Sequence, residues 1–122
     1  MHRSLLTALL MAAAVMLSPA AASAHAFLKS ASPAVGSTVD VAPGTIALTF
    51  TESLEPDFSS IVVQDAHAAQ IDKKDSHPVP GDPTRLAVSV GSLSPGTYTV
   101  IWHVTSTDTH KTTGKFSFTV AH

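Results

Sequence analysis

The sequence of 122 residues has no cysteine, one tryptophan, one tyrosine and only 13% charged residues. Without cysteine it can form no disulfide framework, iron–sulfur cluster, zinc–thiolate site or blue-copper thiolate centre. The formal net charge of −2 leaves no basic surface for nucleic acid. The length predicts a single domain. What the chain does have is histidine, seven residues against seven lysines and arginines together.

The first 24 residues have the pattern of a secretory signal peptide. A positive start that includes Arg3 precedes an apolar run at residues 5–17, and small residues ending at Ala24 follow. The apolar run is too short to span a bilayer comfortably, although a retained membrane or amphipathic helix is the alternative. We therefore expect an exported, periplasmic protein in which residues 1–24 are removed and the mature chain does not cross a membrane.

The cleavage position decides which residue begins the mature domain. Cleavage after Ala24 leaves residues 25–122 with His25 at the new N-terminus, whereas a rival site after Ala26 would remove that histidine. All three methionines lie at or before Met16, so the mature chain contains no sulfur. It keeps six basic and nine acidic residues, a net charge of −3.

The mature chain has an all-β pattern. Apolar and polar residues alternate at residues 45–51, 85–90, 98–105 and 115–120, and residues 60–64 form a shorter apolar run that fits a strand buried on both faces. Turn sequences containing proline and glycine separate these segments. The pattern predicts a single Greek-key sandwich or barrel, with residues 65–82 as its least ordered part.

Three places matter for metal chemistry, namely His25, the Asp108–His110 pair and Glu52 at the end of a predicted strand. An N-terminal histidine offers its α-amine and its Nδ1 to one metal, and the amine holds its proton only weakly near neutral pH. Asp108 and His110 are two residues apart, which places both on one face of an extended strand or of its frayed end. His25, Asp108 and His110 together offer three nitrogens and one carboxylate oxygen, a set that suits Cu(II). The alternative is a turn in which Asp108 caps backbone amides and His110 points to solvent.

Two long segments carry a resemblance to a known family. Residues 25–37 (HAFLKSASPAVGS) resemble the start of CopC-type periplasmic copper-resistance proteins, and residues 96–118, which end in TSTDTHKTTGKFSF, resemble that family's closing motif. Residues 48–52 (LTFTE) are similar to its acidic strand end. The resemblance implies a cupredoxin-like (immunoglobulin-like) β-barrel of about seven strands. It also implies one Cu(II) per chain bound by the amine and imidazole of His25, by Asp108 and by His110, with Glu52 orienting these ligands through hydrogen bonds.

The sequence departs from the family pattern in two places. Some family members hold a second, Cu(I) site in a methionine-rich loop, but the corresponding residues 65–77 offer only His67 and His77. Because Cu(I) prefers soft sulfur ligands, we expect a Cu(II)-only member. His103 stands where the family commonly has arginine, and it is interpreted as a half-exposed structural histidine.

These observations predict a periplasmic protein that holds Cu(II) for copper resistance, homeostasis or transport, without catalysis. An inner-membrane copper transporter is the candidate partner. One alternative is an N-terminal-histidine copper oxidase of the lytic polysaccharide monooxygenase type, and another is an immunoglobulin-like interaction module with incidental histidines. The sequence leaves open delivery against storage, the receiving partner, the affinity and the oligomeric state.

Overall fold

A computed structural model describes residues 26–122, which form a two-layer β-sandwich. The leader predicted at residues 1–24 and His25 lie outside the described residues. The strands are β1 (Leu28–Ser32), β2 (Thr38–Val39), β3 (Thr45–Phe50), β4 (Ser60–Gln64), β5 (His77–Val79), β6 (Asp82–Ser89), β7 (Gly96–Thr105) and β8 (Lys111–Val120), with a short 3₁₀ helix at Pro56–Phe58. No helix in this part of the chain has the length and apolar character needed to cross a membrane.

The strands form two four-stranded sheets, in the orders β1-β3-β6-β5 and β2-β8-β7-β4. The chain passes from one sheet to the other at every described connection except the hairpins β5–β6 and β7–β8. The predicted all-β sandwich is confirmed. Residues 26–122 hold eight strands rather than about seven, and β2 and β5, of two and three residues, are too short to produce an alternating pattern.

The core lies between the sheets and follows the predicted alternation closely. In β3 the side chains of Ile46, Leu48 and Phe50 are buried, and their threonine and alanine neighbours are not. The long hairpin β7–β8 supplies the facing layer, with buried side chains at Tyr98, Val100, Val104, Phe116, Phe118 and Val120. Strand β4 buries only one face, since Ile61 and Val63 are buried while Val62 is half-buried, so the interpretation of two buried faces is wrong.

Trp102 occupies a space that a glycine leaves open on the neighbouring strand. Trp102 and Gly114 are directly paired between β7 and β8. A Cβ built on Gly114 would lie 2.3 Å from Cζ2 of the indole ring, so only glycine allows this packing. The indole packs edge-on against Phe50 with ring centroids 5.9 Å apart and at a tilt against Phe116 at 6.4 Å.

Residues 65–82, expected to be the least ordered part of the domain, are held to β4 by hydrogen bonds to polar side chains. Asp72 is buried, and its Oδ1 accepts a hydrogen bond from the Val63 amide of edge strand β4 at 2.8 Å. The Ser76 hydroxyl accepts from the Ile61 amide of the same strand at 2.9 Å. The segment therefore covers the open edge of β4 with these side-chain oxygens and with the Ile71 amide, which donates to the Val63 carbonyl at 2.8 Å. This cover limits edge-to-edge pairing with other chains.

Candidate metal centre

The loop of residues 106–110 joins β7 to β8 at one end of the sandwich. The two strands pair continuously from Gly96 opposite Val120 to Thr105 opposite Lys111. Beyond the last pair, the Ser106 amide donates to the His110 carbonyl at 2.9 Å. The Thr109 amide donates to the Ser106 carbonyl at 2.8 Å, which closes a tight turn. A long hairpin therefore presents a short and well-bonded loop.

Asp108 and His110 come together in this loop. His110 Nδ1 lies 3.3 Å from Asp108 Oδ1, and the two side chains are 52% and 40% exposed, respectively. Both lie in the loop between β7 and β8, so they meet beyond the strand ends and not on an extended strand, the other possibility that the spacing allowed. Their convergence comes from Thr109, which has a φ of 73° and turns the chain in the left-handed region, an uncommon conformation for a β-branched residue.

Ser106 contacts both candidate ligands from the buried side of the loop. Its side chain is buried, and its hydroxyl donates to Asp108 Oδ1 and lies 3.3 Å from the His110 carbonyl oxygen. The His110 amide also points at Asp108 Oδ1, at 3.5 Å. The Ser106 hydrogen bond is the main cause that lowers the pKa of Asp108 below 3.8, and His110 adds to the effect. The carboxylate is therefore ionised at neutral pH and is fixed through one of its two oxygens.

The start of the described chain is anchored beside this loop. Ala26 is buried, and its carbonyl accepts a hydrogen bond from the Thr112 hydroxyl at 2.8 Å. Phe27 is fixed to Thr51 by two hydrogen bonds of 2.9 Å, one in which its amide donates to the threonine hydroxyl and one in which its carbonyl accepts from the threonine amide. Ala26 therefore contacts β8 two residues beyond His110.

Glu52 lies in a segment that contacts both the start of the described chain and the loop of residues 106–110. The preceding residue, Thr51, holds Phe27, and the carbonyl of the following residue, Ser53, accepts from the Thr107 amide at 3.0 Å. The Glu52 side chain is exposed. Segments near residues 26, 52 and 108 thus meet at one end of the sandwich, although they are far apart in sequence.

The other histidines lie elsewhere. His67 is exposed in the loop after β4, and His77 Nδ1 contacts the Asp75 carbonyl at 2.7 Å. His103 is exposed on β7, with its Nδ1 3.2 Å from the Thr113 hydroxyl. Within residues 26–122, no three His, Asp or Glu side chains come close enough to hold a metal ion. Of the predicted ligands, Asp108 and His110 lie within this range, and they are the pair that the structure brings to 3.3 Å.

Ser106 and Thr112 are contacts of this end of the sandwich that were not predicted from the sequence. Ser106 stands two residues before Asp108, in the same spacing that separates Asp108 from His110, so a serine-x-aspartate pattern at the end of a strand was the available signal. Thr112 gave no signal, because its contact with Ala26 joins residues 86 positions apart.

Comparisons with known proteins agree with this architecture. The chain is 40% identical over 98 residues to Protein YobA of Escherichia coli K12, covering 80% of this chain and 79% of that protein. It is 37% identical over 114 residues to Copper resistance protein C of Pseudomonas syringae pv. tomato, covering 88% and 90%. The crystal structure of CopC from Methylosinus trichosporium OB3b superposes with a TM-score of 0.75 at 32% identity, covering 80% and 94%. The CopC domain matches residues 28–121, and the chain belongs to this family.

Proposed function

We propose that this protein binds one Cu(II) ion as cargo and holds it for copper resistance, homeostasis or transport, without catalysing a reaction. The observation that carries the proposal is the convergence of Asp108 and His110, 3.3 Å apart, on a loop that adjoins the anchored Ala26. The related protein of Pseudomonas syringae is named for copper resistance, which supports copper as the metal.

The proposed ligands are the amine and imidazole of His25, a carboxylate oxygen of Asp108 and a nitrogen of His110. Ala26, the next residue after His25 in the sequence, is held by Thr112, two residues beyond His110. The set contains only nitrogen and oxygen, since residues 25–122 have no cysteine or methionine. Such donors favour Cu(II) over Cu(I), and copper binds more tightly than other first-row divalent metals to a site of this kind.

Each residue has a defined task in this proposal. Asp108 brings a negative charge, which partly neutralises the charge of the bound ion, and the Ser106 hydrogen bond lowers the pKa of its carboxyl. His110 is oriented by the contact between its Nδ1 and Asp108, in which Nδ1 is the hydrogen-bond donor. Glu52, exposed in the neighbouring segment, is assigned to hydrogen-bonding around the bound ion.

The decisive experiment is Cu(II) EPR and affinity measurement on residues 25–122, with and without one extra residue before His25. The extra residue removes the free α-amine from His25 and leaves the fold of residues 26–122 as it is. We expect it to weaken Cu(II) binding and to change the nitrogen hyperfine pattern, as Asp108→Ala and His110→Ala also should. Unchanged affinity in all three variants would show that copper is bound elsewhere.

Export to the periplasm is part of the proposal and has its own test. The intact mass of the exported protein should correspond to residues 25–122, which begin with His25. A mature chain that begins at Phe27 would remove the N-terminal chelate and with it the proposed ligand set. In that case the described residues would retain only the Asp108–His110 pair.

A further inference from the structure

Ser106 combines two properties that are unusual for a serine at the end of a surface hairpin. Its side chain is 1% exposed, although the loop that it begins is largely exposed. Its hydroxyl is directed at a carboxylate that lies further out, Asp108 Oδ1, and its amide donates to the His110 carbonyl. One buried residue therefore contacts the side chain of one proposed ligand and the backbone of the other.

We propose that Ser106 is the positioning residue of the metal centre, which fixes Asp108 through Oδ1 so that Oδ2 is the oxygen offered to the metal ion. This inference rests on the proposed function. The Ser106 hydroxyl, the His110 amide and His110 Nδ1 all approach the same oxygen, Oδ1. A carboxylate held in this way cannot rotate freely, so it binds the ion through one oxygen in a defined direction.

The proposal separates a positioning role from a simple packing role. If Ser106 only filled space, alanine would replace it with little effect on the loop ligands. If its hydroxyl orients Asp108, its removal lets the carboxylate rotate and also loosens the Nδ1 contact that orients His110. The expected loss in Cu(II) affinity for Ser106→Ala is about 10–100-fold, the usual range for residues that hold metal ligands in place.

The test compares Ser106→Ala with Ser106→Thr and with Ser59→Ala. Ser59 is a matched control because it is also buried, at 7% exposure. Its hydroxyl donates to the Glu55 backbone carbonyl and accepts from the amide of Thr105, the residue next to Ser106. We expect Ser106→Ala to weaken Cu(II) binding and to shift the EPR parallel g and hyperfine values. Ser106→Thr, which keeps the hydroxyl, should recover most of the affinity, and Ser59→Ala should bind as the wild type does.

A double-mutant cycle and a metal-free measurement complete the test. In an Asp108→Ala background, adding Ser106→Ala should change Cu(II) affinity by no more than about twofold, because the contact is already lost. In the metal-free wild-type protein, ¹⁵N NMR should find the neutral His110 ring as the Nδ1–H tautomer. The reason is that His110 Nδ1 faces Asp108 Oδ1, and an ionised carboxylate can only accept a hydrogen bond. This preference should weaken in Ser106→Ala.

The outcomes distinguish failure of this inference from failure of the proposed function. If the wild-type protein does not bind Cu(II) through Asp108, the proposed function fails. If it does, but Ser106→Ala matches the wild type in affinity, spectrum and tautomer, the positioning role is refuted. Should Ser106→Ala not fold, the tautomer of His110 in the metal-free wild type carries the test, because the Nδ1–H form is expected only while Asp108 is held against His110. A neutral His110 ring without that preference would also refute the role.

Discussion

Replacing Gly114 by alanine tests the packing that joins the two strands of the site-bearing hairpin. The added Cβ would lie 2.3, 2.5 and 2.9 Å from three atoms of the Trp102 indole ring, whereas ordinary contact begins at 3.4 Å. The ring would have to retreat by about 1 Å to relieve the closest of these contacts. Phe50 and Phe116 lie against it, with centroids at 5.9 and 6.4 Å, and restrict that movement.

Overpacking of this kind costs about 1–3 kcal/mol. Alanine in place of a strand glycine returns roughly 0.5–1 kcal/mol through lower entropy of the unfolded chain, so mid-range values give a net loss of about 1 kcal/mol for Gly114→Ala. For a domain of this size, that corresponds to a fall in the unfolding midpoint of roughly 4–8 °C. Thermal unfolding followed by circular dichroism measures it, and Trp102, the one tryptophan in the chain, reports the same transition by fluorescence.

A second substitution identifies the cause of the loss. Trp102→Leu removes the ring atoms that the new Cβ would meet, so Gly114→Ala should cost little or nothing in that background. The difference between the two backgrounds is the coupling energy of the pair. An equal cost in both, or an unchanged midpoint for Gly114→Ala alone, would refute the steric explanation.

Three further predictions concern hydrogen bonds of the scaffold. Asp72→Ala should lower the free energy of unfolding by about 1–3 kcal/mol and speed hydrogen exchange at the Val63 amide, because this amide loses the acceptor that lies 2.8 Å away. Asp72→Asn, which keeps one acceptor oxygen, should lower the free energy of unfolding by less. Tyr98→Phe should cost about 1 kcal/mol in urea unfolding, because the phenol donates at 2.6 Å to a carbonyl in the preceding turn, and no loss would exclude that bond as a stabilising contact. Hydrogen bonds from Ser89 lower the pKa of Asp75, so its contribution to stability is present above its unfolded pKa of about 3.8 and disappears as the pH falls through the lower folded value. Asp75→Asn should therefore flatten the acid side of a midpoint-against-pH curve, and an unaltered acid side would contradict this assignment.

The fold was largely predictable because the core strands are buried on one face. In β3, β7 and β8 that burial imposes an alternation that the sequence displays directly, from Ile46 to Phe50 and from Tyr98 to Val104. The order around residues 65–82 was not predictable. It depends on Asp72 and Ser76 meeting amides of β4 across nine and fifteen positions, and polar residues in a loop look the same whether they bond to backbone or to water.

For the candidate site, the proximity of Asp108 and His110 was predictable, but the way the loop brings them together was not. The spacing of Asp108 and His110 placed the two side chains together, as the structure has them at 3.3 Å. The means by which they meet is different, since Thr109 adopts a left-handed φ of 73° and no sequence rule favours threonine there. His25 lies outside the described residues, so its role as a ligand stays a prediction.

The construction of this end of the sandwich explains how a weak local donor pair could become a strong site. Asp108 and His110 are held by a hairpin and by Ser106 before any ion arrives, so binding does not have to order them. Ala26 is held against Thr112, which restricts where the preceding residue can begin. If His25 binds the same ion as Asp108, the ion links two segments more than eighty positions apart, and a ligand that binds only the folded chain stabilises it by mass action. With the proposed ligand set, copper affinity and folding stability would be coupled through the same contacts. Processing of the N-terminus would then affect both, because His25 has a free α-amine only when the chain begins at that residue.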